Sequence, residues 1–172
     1  MKKLLLVVDF QNDFVDGSLG FDDAKDVVGP IYAKIEEYKD NGDDIIFTRD
    51  THDENYLETQ EGKNLPVKHC IINTHGWEIH GEANQHADIV FDKPSFGSLE
   101  LGNYLKDKDY DYIELAGLVS NICIISTAVI VKAALPEALV VVDERLTDSY
   151  DKKLHEEALN VMEGFQVKVI RK

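Results

Sequence analysis

The sequence predicts an α/β fold: a three-layer, doubly wound sheet of about six mainly parallel strands with helices on both faces. Three observations carry that expectation. Short apolar runs alternate along the chain with segments of helical period. The runs are unbroken rather than alternating with polar residues, as in strands buried on both faces of a parallel sheet. The 172 residues, 44% hydrophobic and 30% charged, suit one soluble domain. No internal repeat, low-complexity tract or linker divides the chain, so residues 1–172 are read as a single domain.

Taken in order, Lys3–Val8 is the first strand, followed by the loop Asp16-Gly17-Ser18-Leu19-Gly20. Asp23 to Asn41 carries Ala24, Val27, Val28, Ile31, Ile35 and Tyr38 at helical spacing, and Gly42 closes it. Asp44–Thr48 reads as the second strand. From Arg49 to Gly81 the chain is polar and irregular, and a stretch of that length in a small domain is usually functional. Ala87–Phe91 is the third strand, Leu99–Lys106 a short helix and Tyr112–Ala116 the fourth strand. Asn121 to Ala134 is apolar nearly all round, a buried helix. Ala138–Val142, the amphipathic helix Lys152–Glu163 and the strand Gln166–Ile170 complete the pattern.

Composition excludes several classes. A net charge of −15 repels nucleic acid and anionic membranes. No apolar run reaches the length of a bilayer span, and Asp9 interrupts the only stretch resembling a leader. The reading is a cytoplasmic protein. Its two cysteines, Cys70 and Cys123, form no CxxC pair. Cys70, within Val67-Lys68-His69-Cys70-Ile71, reads as a small buried hydrophobe.

Reactive residues recur at strand ends, where open parallel sheets assemble their sites. Asp9 follows five apolar residues, so burial is expected to raise its pKa and make it a proton acceptor. Asp13, nearby, reads as the more ordinary acid. Lys93 follows Ile89-Val90-Phe91-Asp92 and could hold Asp9 in place. Cys123 opens a helical segment just past Gly117-Leu118-Val119-Ser120-Asn121-Ile122, a position expected to favour the thiolate. The same turn could aim the Val119 and Cys123 N–H groups at one spot, an oxyanion hole. A second set, Asp50, His52, Glu61 and His69, has donors suited to an octahedral Zn, Mn or Fe site completed by waters. His75, His80, His86 and His155 read as solvent-facing.

These segments together resemble the isochorismatase-like cysteine hydrolase superfamily, most closely the nicotinamidases and related amidases. The resemblance rests on Asp9-Phe10-Gln11-Asn12-Asp13-Phe14, Asp16 to Leu19, Thr48 to His52, Leu65-Pro66 to Cys70, Lys93 with Ser95-Phe96, and Gly117 to Cys123. It implies a catalytic triad of Asp9, Lys93 and Cys123. It also implies a divalent metal held by Asp50, His52 and His69, with Glu61 as fourth ligand and Glu58 the nearby alternative. Phe14 matches a ring-stacking position and Phe96 supplies an opposite wall. A cis peptide is expected at Val119–Ser120. The implied activity is hydrolysis of a small amide through a thioester, nicotinamide to nicotinic acid in the first instance, by a homo-oligomer.

Two departures bear on substrate. Leu65 stands where nicotinamidases often carry tryptophan, and the one tryptophan is Trp77. Isochorismatases proper lack the nucleophilic cysteine, so Cys123 points away from that branch. A metal-free hydrolase of ureido or carbamoyl amides and a non-catalytic small-molecule binder on the same fold remain as alternatives. A phosphoacceptor receiver domain shares the alternating pattern but gives the acid, lysine and cysteine no task.

Overall fold

The computed structural model describes residues 1–172. Its elements are β1 (Lys3–Val8), α1 (Asn12–Val15), α2 (Val28–Asn41), β2 (Asp44–Asp50), α3 (Gln60–Asn64), β3 (Val90–Lys93), α4 (Leu99–Leu105), β4 (Tyr112–Leu118), α5 (Ile125–Ala134), β5 (Leu139–Asp148), α6 (Lys152–Gly164) and β6 (Lys168–Ile170). The strands form one six-stranded sheet in the order β3-β2-β1-β4-β5-β6. Every pairing is parallel. The expected doubly wound α/β sheet is therefore present, and its strand order reverses beside β1.

Successive strand side chains point to opposite faces, and β1 shows how this divides the core. Leu4, Leu6 and Val8 pack with Leu101, Leu105, Ala128, Val131, Leu159 and Met162 from α4, α5 and α6. Leu5 and Val7 pack on the other face with Ile31, Ile35 and Tyr38 of α2. All five are completely buried, each contributing about 1.5–3 kcal/mol by the usual transfer scale. No helix is long and apolar enough to cross a membrane.

Several boundaries differ from expectation for local reasons. The segment read as one helix from Asp23 splits into a 3-10 stretch, Asp22–Val27, and then α2. Pro30 falls in the first turn of α2, where its missing N–H costs no helical bond. β2 runs on to Asp50 and β3 starts at Val90, because Phe47–Asp50 pairs with Val90–Lys93. Lys93 thus lies within a strand rather than after it. β5 continues to Asp148, pairing Thr147 and Asp148 with Gly117 and Leu118 after a register shift. The segment read as a helix from Asn121 begins with one π-helical turn, Ser120–Ile124, before α5.

The histidine assignments also need correction. Only His75 faces solvent; His80 and His86 are half-buried, and His155 is 4% exposed. His155 lies on the inner face of α6 with Ala158, Leu159 and Met162, so the polar pattern around it concealed a core position.

Candidate active site

The three reactive groups arrive from three strands. Asp9 directly follows β1, Lys93 ends β3, and Cys123 sits in the π turn after β4. Lys93 Nζ lies 2.6 Å from Asp9 Oδ2 and 3.6 Å from Cys123 Sγ, and donates to the Ser95 carbonyl at 2.9 Å. Asp9, Lys93 and Cys123 are 0%, 1% and 5% exposed. Asp9 is held in a left-handed backbone conformation, φ 47°, uncommon for a residue with a Cβ. Its N–H donates to the Thr48 carbonyl at 3.1 Å, and Thr48 Oγ1 donates to Asp9 Oδ1 at 2.7 Å. The neighbouring strand thus fixes both backbone and carboxylate.

Burial sets the protonation states. It pushes the Asp9 carboxyl up, while the Lys93 charge pulls it back only in part. Burial alone would lower Lys93, but the negative charge of Asp9 outweighs it and holds the ammonium charged. The thiolate expected from the helix start is not the resting form. Burial first, and the Asp9 charge second, push the Cys123 thiol well up. These environments favour a neutral thiol beside the Asp9–Lys93 ion pair.

Gly117, the penultimate residue of β4, has φ 128°, and a Cβ there would run into the Val8 carbonyl. Only glycine fits this close approach of β4 to β1. The cis peptide falls at Leu118–Val119, one residue before the expected Val119–Ser120, at the exit of β4 rather than inside the π turn. Ile122 and Ile124 N–H groups both donate to the Val119 carbonyl, each at 3.2 Å. The Val119 N–H has no acceptor within the chain. Val119 and Cys123 share the wall of one cavity.

The second set of residues gathers beside the first. The donor atoms of Asp50, His52, Glu61 and His69 all lie within 4.8 Å of one another. Asp50 Oδ2 is 3.0 Å from His52 Nε2 and 3.3 Å from His69 Nε2, and Glu61 Oε1 is 3.7 Å from each. Burial alone would raise Asp50, but hydrogen bonds from the two histidines bring it below the ordinary carboxylate range. His69 Nδ1 lies 2.8 Å from the Val67 carbonyl, which turns Nε2 toward the acids. Glu61 faces the cluster from α3, capped by Thr59, whose Oγ1 accepts from the Gly62 N–H at 3.0 Å. Glu58 is exposed. Two imidazole nitrogens and two carboxylate oxygens form a donor set suited to a borderline divalent metal.

Two supporting residues escaped sequence reasoning. Gln11 clamps the end of β2: its Oε1 accepts from the Asp50 N–H and its Nε2 donates to the Asp50 carbonyl, both at 2.8 Å. Asp13, read as an ordinary acid, accepts from the Cys70 N–H at 2.7 Å. Cys70 itself has φ 48° and follows His69 directly, so Asp13 pins the loop that presents the histidine. A polar side chain next to a strand end was the signal available for both.

A cavity of about 370 Å³ joins the two sets, with Cys123 on one side and Asp50, Glu61 and His69 on another. Phe14 and Phe96 both line it. Leu65 does too, as does Tyr150, which the sequence did not suggest. Trp77 is elsewhere, 3.4 Å under the Arg49 guanidinium and donating through Nε1 to Thr51 Oγ1 at 2.8 Å.

Comparison with known proteins agrees with this architecture. A profile of the isochorismatase domain matches residues 3–172. An uncharacterized isochorismatase family protein PncA of Bacillus subtilis is 28% identical, with 93% of each chain covered. The nicotinamidase of Saccharomyces cerevisiae is 24% identical over 74% of this chain and 80% of its own. The crystal structure of nicotinamidase PncA from Bacillus subtilis superposes with a TM-score of 0.85 at 26% identity, covering 99% of both chains. That of the Pyrococcus horikoshii pyrazinamidase, solved in complex with zinc, gives 0.86 at 23% identity over the whole of both chains. With the domain profile spanning nearly every residue, the chain belongs to the isochorismatase family.

Proposed function

We propose that this protein is a metal-dependent cysteine amidohydrolase that converts nicotinamide, or a closely similar aromatic amide, to its acid and ammonia. The carrying observation is that Lys93 reaches both Asp9 and Cys123, and that Cys123 lines a cavity whose wall also carries Asp50, Glu61 and His69 of the two-histidine, two-acid cluster. The amidase names of the relatives support the reaction class.

The chemistry follows from the protonation states. Asp9 takes the Cys123 proton as sulfur attacks the amide carbonyl; a C–S bond forms and the π electrons move to oxygen. The N–H groups of Val119 and Cys123 receive that oxyanion. On collapse the C–N bond breaks, and Asp9 returns its proton to nitrogen, releasing ammonia and leaving a thioester. Water then attacks while Asp9 accepts its proton. The C–S bond breaks, the acid departs, and Cys123 regains a proton from Asp9. Lys93 stays charged throughout, offsetting the negative charge on Asp9 or sulfur in turn.

Asp50, His52, Glu61 and His69 would hold the divalent ion, Zn, Mn or Fe by donor type. When bound it supplies a Lewis acid for a ring nitrogen of the substrate, directly or through its waters. Phe14 and Phe96 bracket the ring. The presence of this cluster favours the metal-dependent reading over a metal-free ureido or carbamoyl hydrolase. The test is ammonia and nicotinic acid release from nicotinamide with and without chelator. Turnover lost on chelation and recovered with added metal is expected; turnover indifferent to the metal, or confined to carbamoyl amides, overturns the reading.

A further inference from the structure

Outside the site just described, His155 is one of several buried titratable groups with no task in the chemistry. His155, on α6, is 4% exposed, and its Nδ1 lies 2.7 Å from Ser120 Oγ. Its Nε2 faces Glu144 Oε1 at 3.5 Å, and Asp148 Oδ1 stands 3.9 Å from Nδ1. This pattern of partners lets Nε2–H point toward Glu144 while Nδ1 accepts from the Ser120 hydroxyl. Ser120 is completely buried, and neither it nor His155 lines the cavity.

Beside His155, Glu144 and Glu156 bring two carboxylates close to the imidazole. Arg171 Nη1 donates to Glu156 Oε2 at 3.0 Å, and the Lys172 N–H donates to Glu144 Oε2 at 2.8 Å, so both carboxylates are already engaged. What remains is a link between elements. Ser120 begins the π turn that ends at Ile124 and carries Cys123; it directly follows Val119, whose N–H is unpaired. α6 packs on that turn. A side-chain bond from a helix is thus fastened to the backbone between the two N–H groups assigned to the oxyanion.

We infer that His155 is a positioning residue: through Ser120 Oγ it fixes the Ser120–Ile124 turn so that the Val119 and Cys123 N–H groups converge on the developing oxyanion. The inference rests on the amidohydrolase reading for its role in turnover. Its geometric content, the placement of two N–H groups, can be read without turnover.

The experiment compares wild type with His155→Leu, His155→Asn and Ser120→Ala, using three readouts. These are kcat and KM for nicotinamide, the affinity of pyridine-3-carboxaldehyde for Cys123 as a thiohemiacetal, and the alkylation rate of Cys123 by iodoacetamide. The first two need the oxyanion N–H groups; displacement of iodide does not. His155→Leu and Ser120→Ala should each lower kcat and aldehyde affinity about 10- to 100-fold, with KM and alkylation changed less than about 2-fold. His155→Asn keeps an acceptor near the Nδ1 position and should recover most of the loss. The double variant His155→Leu/Ser120→Ala should be no worse than either single one, since both cut the same bond. Aldehyde affinity unchanged in both single variants overturns the inference, as does an equal fall in alkylation and turnover. Should wild type hydrolyse no amide, the amidase reading fails, while the aldehyde series still decides the placement of the N–H groups.

Discussion

The two clusters flanking the cavity are built in different ways. Asp9, Lys93 and Cys123 sit on or beside regular strands, where ladder hydrogen bonds set the backbone and a neighbouring strand holds Asp9 through Thr48. Asp50 shares that support, but His52, Glu61 and His69 come from the irregular stretch between β2 and β3. That stretch is held by individual staples: Gln11 on Asp50, Thr59 capping α3, Asp13 on Cys70 and the Val67 carbonyl on His69. On the triad side Asp9 follows β1 by one residue, Lys93 ends β3, and Cys123 lies in the π turn just past β4. The metal-donor side is a loop whose shape depends on a few polar side chains, each of which can be removed separately.

The comparison predicts that damage to the triad side abolishes chemistry, while damage to the loop side weakens binding. The largest effect is expected for Cys123→Ala, with turnover falling by roughly four orders of magnitude or more. Its metal content, by atomic absorption, should match wild type; retained turnover would break the scheme. Asp9→Asn should cost about 10²- to 10⁴-fold in kcat by steady-state kinetics.

Lys93→Met leaves a buried carboxylate without its counter-charge and should destabilise the fold by about 3–5 kcal/mol in urea titration. The double variant Asp9→Asn/Lys93→Met should regain much of that loss, and failure to do so would mean the pair is not the source of the cost. On the loop side, Asp13→Ala should weaken metal affinity about 10- to 100-fold by competition with a chelating dye. Iodoacetamide alkylation of Cys123 should be untouched in that variant, which separates the two clusters experimentally.

The smallest effect is a pH displacement. Because burial raises the Asp9 pKa, the ionised base is lost as pH falls through that raised value. The acid limb of kcat/KM should therefore lie above the ordinary carboxylate range, and it should vanish in Asp9→Asn. An acid limb near the pKa of a solvated aspartate would place the base elsewhere.

The same contrast explains what the sequence revealed. Five apolar residues before Asp9 and the run before Gly117 announced strands, and a polar residue at each exit announced the site. The boundaries of β2, β3 and β5 were misplaced because Arg49, Asp92 and Arg145 break the apolar runs while the backbone ladder continues past them. Arg49 and Asp92 satisfy each other across the edge, with Nε to Oδ1 at 2.6 Å. His155 was misjudged because α6 alternates charged and apolar residues, and its inner face buries one imidazole whose partner lies 35 residues earlier. Asp13 was underrated for the same reason: its partner, the Cys70 N–H, is 57 residues away and leaves no local pattern. The thiolate expectation failed because helix-start stabilisation is local, whereas desolvation by the whole fold is not.

Intact-peptide mass spectrometry after rapid acid quench of the enzyme turning over nicotinamide reads the proposed covalent step directly. The account predicts a nicotinoyl mass increment on the peptide containing Cys123, absent in Cys123→Ala and accumulating in Asp9→Asn if deacylation slows more than acylation. Ammonia released at the wild-type rate with no adduct on that peptide, or with the adduct on Cys70, would contradict it.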